Sequence, residues 1–162
     1  MIQVYNNLYV GDMHDCMSYR HDNIAIIHAC KTCHRRVLGY QGSLCSDNPD
    51  YLVYKHGKNL YLNLVDMPCE FNPAYTNPIF DAAIKFIIAH IETMPVLIHC
   101  DCGVSRSPSI AMVYLAQIGA ISSDDIYCAS ADFQKLYPKY NPGYGIRTYV
   151  MKNWNYLMRI TS

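Results

Sequence analysis

A chain of 162 residues with 51% apolar side chains can bury one core and is too short for two comfortable domains, so a single domain over 1–162 is expected. Thirteen Lys and Arg balance thirteen Asp and Glu, so bulk charge argues for neither nucleic acid nor a membrane surface, and any positive site must be local. The first residues, Met1-Ile2-Gln3-Val4-Tyr5-Asn6, hold no basic n-region or apolar h-region. The most apolar stretch, Ile79 to Ile91, is too short to cross a bilayer and carries Asp81, Lys85 and His90. Eight cysteines at this length fall below the density of a disulfide scaffold and read as reduced thiols, so a cytoplasmic location is expected.

In chain order, Leu8-Tyr9-Val10 reads as a strand after an Asn6-Asn7 turn. Asp12 is placed to cap a short helix through about Tyr19. Ile24-Ala25-Ile26-Ile27 is a strand of the buried type. Residues 30–50, punctuated by Gly, Ser, Cys, Asn and Pro, read as a long loop with one helical turn. Leu60, Leu62 and Leu64 alternate with Tyr61 and Asn63 in a strand that Asp66-Met67-Pro68 ends. Asn77-Pro78 reads as the start of a helix through about Thr93. Val96-Leu97-Ile98 is the next strand, and Ser107 to Gln117 the next helix, ended by Gly119. Ser122 or Ser123 is the expected cap of a helix to Leu136, and a Pro/Tyr/Gly turn at 137–145 precedes a terminal helix to about Met158. Alternation of strands and helices predicts an α/β domain with a mainly parallel central sheet flanked by helices.

The most specific segment is His99-Cys100-Asp101-Cys102-Gly103-Val104-Ser105-Arg106-Ser107. It joins a short apolar strand to a helix whose first turn holds Pro108. A loop so placed aims backbone N–H groups and a helix N-terminus at one point, which suits a dianion. Arg106 adds a fork for two phosphate oxygens. Cys100, in the same positive field, is a candidate nucleophile.

His-Cys-x5-Arg-Ser resembles the signature of the cysteine-dependent protein tyrosine phosphatase superfamily, and Gly103-x-Ser105-Arg106-Ser107-Pro108-Ser109 is similar to its dual-specificity branch. Asn7-Leu8-Tyr9-Val10-Gly11-Asp12, Asn59 to Asp66 and Tyr140-Asn141-Pro142-Gly143-Tyr144 fit that family in order. The resemblance covers about residues 4–150. It implies a protein tyrosine phosphatase-like fold of the dual-specificity type and hydrolysis of phosphotyrosine, phosphoserine and phosphothreonine through a phosphocysteine, without a cofactor or metal. The expected partner is a phosphorylated protein or peptide, with phosphate or another oxyanion in the loop, and neither nucleic acid nor membrane.

Within that expectation Cys100 is the nucleophile and Arg106 holds the phosphate. Asp101, Cys102, Gly103, Val104 and Ser105 contribute backbone to the cradle, with Gly103 allowing a tight turn. By analogy His99 organises the loop, and Ser107 either helps the thiolate leave or caps the helix. Asp66, which enters a Pro-containing loop, is the expected general acid; Glu70 is the alternative carboxylate. The side chain of Asp101 is expected to face solvent, because inward it would oppose a thiolate.

Cys30-x-x-Cys33-His34 is a weak metal pattern on its own. Zinc needs about four ligands, no second matching pair follows, and Cys16, His28 and Cys45 are the remaining candidates. No metal site is expected. Lys31, His34, Arg35 and Arg36 form a basic cluster, either a solvated loop or a second anion contact. Tyr144 is placed to flank the pocket. The variable loop positions lack the Lys typical of inositol-lipid phosphatases, and the zero net charge gives no support to an RNA triphosphatase. The alternatives are a phosphopeptide-binding pseudophosphatase, a rhodanese-like thiol enzyme and an arsenate reductase-like redox protein.

Overall fold

The computed structural model describes residues 1–19 and 23–160. Six strands form one mixed sheet: β1 (Ile2–Tyr5), β2 (Leu8–Gly11), β3 (Ala25–His28), β4 (Val53–His56), β5 (Asn59–Leu62) and β6 (Val96–His99). Their order across the sheet is β1-β2-β6-β3-β5-β4. β2, β6, β3 and β5 run parallel, and β1 and β4 close the two edges as antiparallel hairpin partners. The sheet is therefore parallel at its centre, as the alternating pattern predicts, and mixed at its rims. β3 and β6 are buried along their whole length, the burial expected of continuous apolar strands covered on both faces.

The helices are α1 (Met13–Tyr19), α2 (Lys31–Leu38), α3 (Pro73–His90), α4 (Arg106–Gln117), α5 (Ile126–Leu136), α6 (Tyr144–Lys152) and α7 (Trp154–Leu157). α4 is buried from Arg106 to Ala116. It lies between the sheet, where it meets β6 and β2, and helices α3, α5 and α6. Helices buried on every side form the centre of a core, not its cover.

Several boundaries depart from the sequence reading. Residues 31–38, expected to be mostly loop, form α2, which a left-handed Gly39 (φ 72°) ends. Its apolar face is short, and buried Cys33 and His34 supply much of it, so the usual aliphatic periodicity is missing. The β4 strand went unread because Val53-Tyr54-Lys55-His56 is half-exposed at an edge. α3 begins at Pro73, where the Asn72 side chain accepts from the Ala74 amide. Asn72-Pro73 and Asn77-Pro78 carry the same start signal; the second falls inside the helix and forfeits one hydrogen bond. Asp125, not Ser122 or Ser123, caps α5, accepting from the amides of Tyr127 (2.7 Å) and Cys128 (2.8 Å). Asp12 caps α1 as expected, accepting from His14 and Asp15.

The register sets the site. Gly11 and His28 both pair with His99, so three parallel strands end side by side. The loop after β6 opens at the carboxyl edge of the sheet, where parallel α/β sheets bind ligands.

Candidate active site

The 100–105 loop is held from outside through its carbonyl groups. The Met13 amide donates to Asp101 O (3.3 Å) and the Asn141 amide to Val104 O (2.8 Å). The Tyr137 hydroxyl donates to Gly103 O (2.8 Å). Gly103 has φ 70°, and a Cβ there would sit 2.9 Å from the carbonyl oxygen of Gly11. Both its conformation and the approach of β2 require glycine.

Cys100 is 1% exposed at the floor of the loop. The Ser107 hydroxyl lies 3.2 Å from its Sγ and 3.3 Å from Gly11 O. Ser107 occupies the second position of α4, and the N-cap position belongs to Ser105. Helix capping therefore does not explain Ser107. His99 is fully buried, and its Nδ1 faces Cys100 O at 3.4 Å. Burial, first, pushes the His99 imidazole down to about 4, against the opposing pull of that carbonyl and of Asp101 and Asp12. It is neutral at physiological pH.

The guanidinium of Arg106 donates to Leu64 O (2.9 Å) and to Asp101 Oδ2 (2.6 Å). Its Nε is buried without a hydrogen-bond acceptor and lies 3.7 Å from Asp66 Oδ2. Burial opposes the charge, but the Asp101 hydrogen bond and the negative groups Cys100, Asp101 and Asp66 outweigh it, so Arg106 is held above its ordinary range. Asp101, expected to face solvent, turns to Arg106 while its side chain stays 38% exposed. The attraction of a buried guanidinium 2.6 Å away outweighs repulsion from the thiol site.

Asp66 hangs over the loop with its side chain 36% exposed. The Gly143 amide donates to Ser105 Oγ (3.0 Å), and the Ser105 hydroxyl donates to Asp66 Oδ1 (3.2 Å). A Cβ on Gly143 would fall 2.7 Å from that same Oδ1. The sequence reading gave Ser105 only a backbone role; its side chain orients Asp66. Glu70 instead pairs with Lys152 through both oxygens (2.7 and 2.8 Å) on the surface. The one available signal for the Ser105–Gly143 link was the Asn-Pro-Gly turn at 141–143, which no local pattern ties to residue 105.

Cys102 is exposed, and no disulfide forms among the described residues. His34 does not join a basic surface: it is buried and meets Tyr40 Oη (3.0 Å) and Asp50 O (2.9 Å). Arg35 and Arg36 line a separate open cavity with Thr32 and Tyr40. Tyr144, expected to flank the pocket, lines a cavity of about 440 Å³ with Tyr140, Pro142, Arg147 and Lys152, a cavity to which neither the 100–105 loop nor Asp66 contributes.

Residues 43–137 match the family described as dual specificity phosphatase, catalytic domain. The chain belongs to that family. The dual-specificity fold extends to nearly the whole chain. A leucine-rich repeat and phosphatase domain protein from Entamoeba histolytica is 20% identical, with TM-score 0.65 over 99% of this chain and 94% of that one. The human tyrosine phosphatase-like serine/threonine/tyrosine-interacting protein is 16% identical, with TM-score 0.62 over 96% and 95%. A 51-residue segment, 31% of this chain, is 41% identical to human dual specificity protein phosphatase 8 and spans 8% of that protein's length. No helix among the described residues of this dual-specificity domain is long and apolar enough to cross a membrane.

Proposed function

We propose that this dual-specificity domain hydrolyses phosphoprotein monoesters through a phosphocysteine on Cys100. The observation that carries this reading is the convergence on one loop of a buried thiol touched by Ser107, a buried guanidinium and an oriented carboxylate. The phosphate sits on the amides of Asp101 to Arg106, with the Arg106 fork neutralising its equatorial oxygens. The Cys100 thiolate attacks phosphorus in line. The S–P bond forms as the P–O bond breaks, and Asp66 gives its proton to the leaving oxygen. Asp66 then takes a proton from water as water attacks the phosphocysteine. The S–P bond breaks, inorganic phosphate leaves, and the Ser107 hydroxyl stabilises the departing thiolate.

The half-open setting of Asp66 and Asp101, 36% and 38% exposed, supports a shallow mouth. Such a mouth admits phosphoserine and phosphothreonine beside phosphotyrosine. A thiol nucleophile suits a reducing compartment, so the cytoplasm is the proposed location. The full set of Cys100, Arg106 and Asp66 disfavours a binding-only pseudophosphatase, and Ser-Arg-Ser-Pro with an upstream Asp66 disfavours a rhodanese-like enzyme. The test is acid quenching of the reduced protein during turnover of labelled p-nitrophenyl phosphate and a phosphotyrosyl peptide. Label is expected on the peptide containing Cys100; turnover with label elsewhere, or no turnover, overturns the mechanism.

Asp101 competes with substrate for the Arg106 fork. Releasing a half-exposed ion pair is worth up to about 1 kcal/mol, a factor of about five. Asp101→Asn is expected to tighten inhibition by vanadate and phosphate by about that factor, read as a lower inhibition constant at fixed ionic strength.

A further inference from the structure

Behind the catalytic loop, four side chains from four elements meet in one buried point: Cys16 of α1, His28 of β3, Cys33 of α2 and His99 of β6. Their ligand atoms all lie within 4.8 Å of one another, and all four residues are buried. His28 Nδ1 faces His99 Nε2 at 2.8 Å, Cys16 Sγ lies 3.5 Å from His28 Nδ1, and Cys33 Sγ lies 4.0 Å from His99 Nε2. A tetrahedral zinc ion with Zn–N near 2.0–2.1 Å and Zn–S near 2.3 Å has edges of about 3.3 Å (N–N), 3.5 Å (N–S) and 3.8 Å (S–S). The observed separations bracket these values.

The outer nitrogens make the case stronger. His28 Nε2 sits 3.0 Å from Asn59 Oδ1, and His99 Nδ1 sits 3.4 Å from Cys100 O. Both partners are oxygen acceptors, so both outer nitrogens carry the hydrogen. The inner nitrogens, 2.8 Å apart, then present lone pairs to each other. Two lone pairs at that distance repel unless a cation lies between them. Metal-bound histidines characteristically donate their other ring N–H to an oxygen in this way. A cavity of about 470 Å³, walled by Cys16, His28, Cys33, Met17, Val37 and Tyr61, gives the cluster a path from solvent.

We propose that Cys16, His28, Cys33 and His99 form a closed Cys2His2 site for a zinc-type divalent cation. Binding replaces the two thiol protons, which are released to solvent, and two thiolates with two neutral imidazoles leave a neutral centre. With four protein ligands the ion has no open position and takes no part in phosphoryl transfer. Its role is to clamp α1, α2, β3 and β6 together and to fix His99, the residue immediately before Cys100. Of the Cys30-x-x-Cys33-His34 pattern only Cys33 takes part. Cys30 lies outside the group and His34 points to Tyr40 and Asp50. Neither the site nor the clamp depends on the phosphatase reading.

Cobalt titration of the reduced, metal-depleted full chain tests the site directly. One equivalent is expected to give the visible d–d absorption of tetrahedral cobalt with thiolate charge-transfer bands, and zinc is expected to displace it. Cys16→Ser and Cys33→Ser are expected to lose the bands, whereas Cys100→Ser and Cys30→Ser keep them. Asn59→Ala, which removes only the acceptor behind His28, is expected to weaken binding by about 10–100-fold. No bands from wild-type protein that is folded by circular dichroism overturns the proposal. So do bands that follow Cys100 or Cys30 instead of Cys16 and Cys33.

Discussion

Arg106→Lys is expected to lower kcat/KM for an aryl phosphate by about 10³-fold or more, within the 10³–10⁵ range seen when a transition-state arginine is lost. The reason lies in how the guanidinium is spent. One terminal nitrogen is anchored on Leu64 O and the other on Asp101, while Nε is buried with no acceptor. When substrate displaces Asp101, Nε and the nitrogen that Asp101 releases form a rigid fork for two equatorial oxygens. Lysine brings a single ammonium on a flexible stem and cannot both hold Leu64 and fork two oxygens. Vanadate binding is expected to weaken in step with kcat/KM, since both report the same charge. A thermal melt of the variant separates lost chemistry from lost folding. An Arg106→Lys protein that melts like wild type and keeps wild-type turnover removes Arg106 from the mechanism.

The sequence made the loop legible and its surroundings much less so. His99 to Ser107 lie within nine residues, and strand, loop and helix N-terminus follow from local pattern alone. The spacing of Cys100 and Arg106 therefore carried most of the chemistry. Asp66 was reachable because a strand end and a Pro-containing loop mark its position. Ser105 and Gly143 were not, because their hydrogen bond joins residues 38 positions apart and depends on how α6 packs. The same holds for Asp101, whose direction is decided by a competition between two nearby charges that no pattern encodes. The four-residue cluster behind the loop shows the limit most clearly. Cys16 and His28 stand with Cys45 as candidates to complete the Cys30-x-x-Cys33-His34 pattern, whereas His99 belongs to the loop motif. Only the parallel pairing of His28 with His99 brings the set together. α2 was misread for a related reason: the helix hides its buried face in Cys33 and His34, residues that carry weak hydrophobic signal.

Asp66→Asn is expected to reduce kcat for phosphopeptides by about 10²–10⁴-fold, the range for loss of a positioned general acid. The loss should depend on the leaving group. A phosphoserine alkoxide is strongly basic and needs a proton as the P–O bond breaks, whereas p-nitrophenolate departs without one. The variant is therefore expected to lose most on phosphoserine and phosphothreonine peptides, less on phosphotyrosine and least on p-nitrophenyl phosphate. Ser105 supplies the control, because its hydroxyl donates to Asp66 Oδ1, whereas Arg106 Nε lies near Oδ2. Ser105→Ala is expected to reproduce the same leaving-group trend at smaller amplitude, as Asp66 loses its orientation but stays in place as the acid. Equal losses across all leaving groups would make Asp66 a binding or structural residue. The next carboxylate to test would then be Asp101, already hydrogen-bonded to Arg106, and not Glu70, which Lys152 holds at the surface.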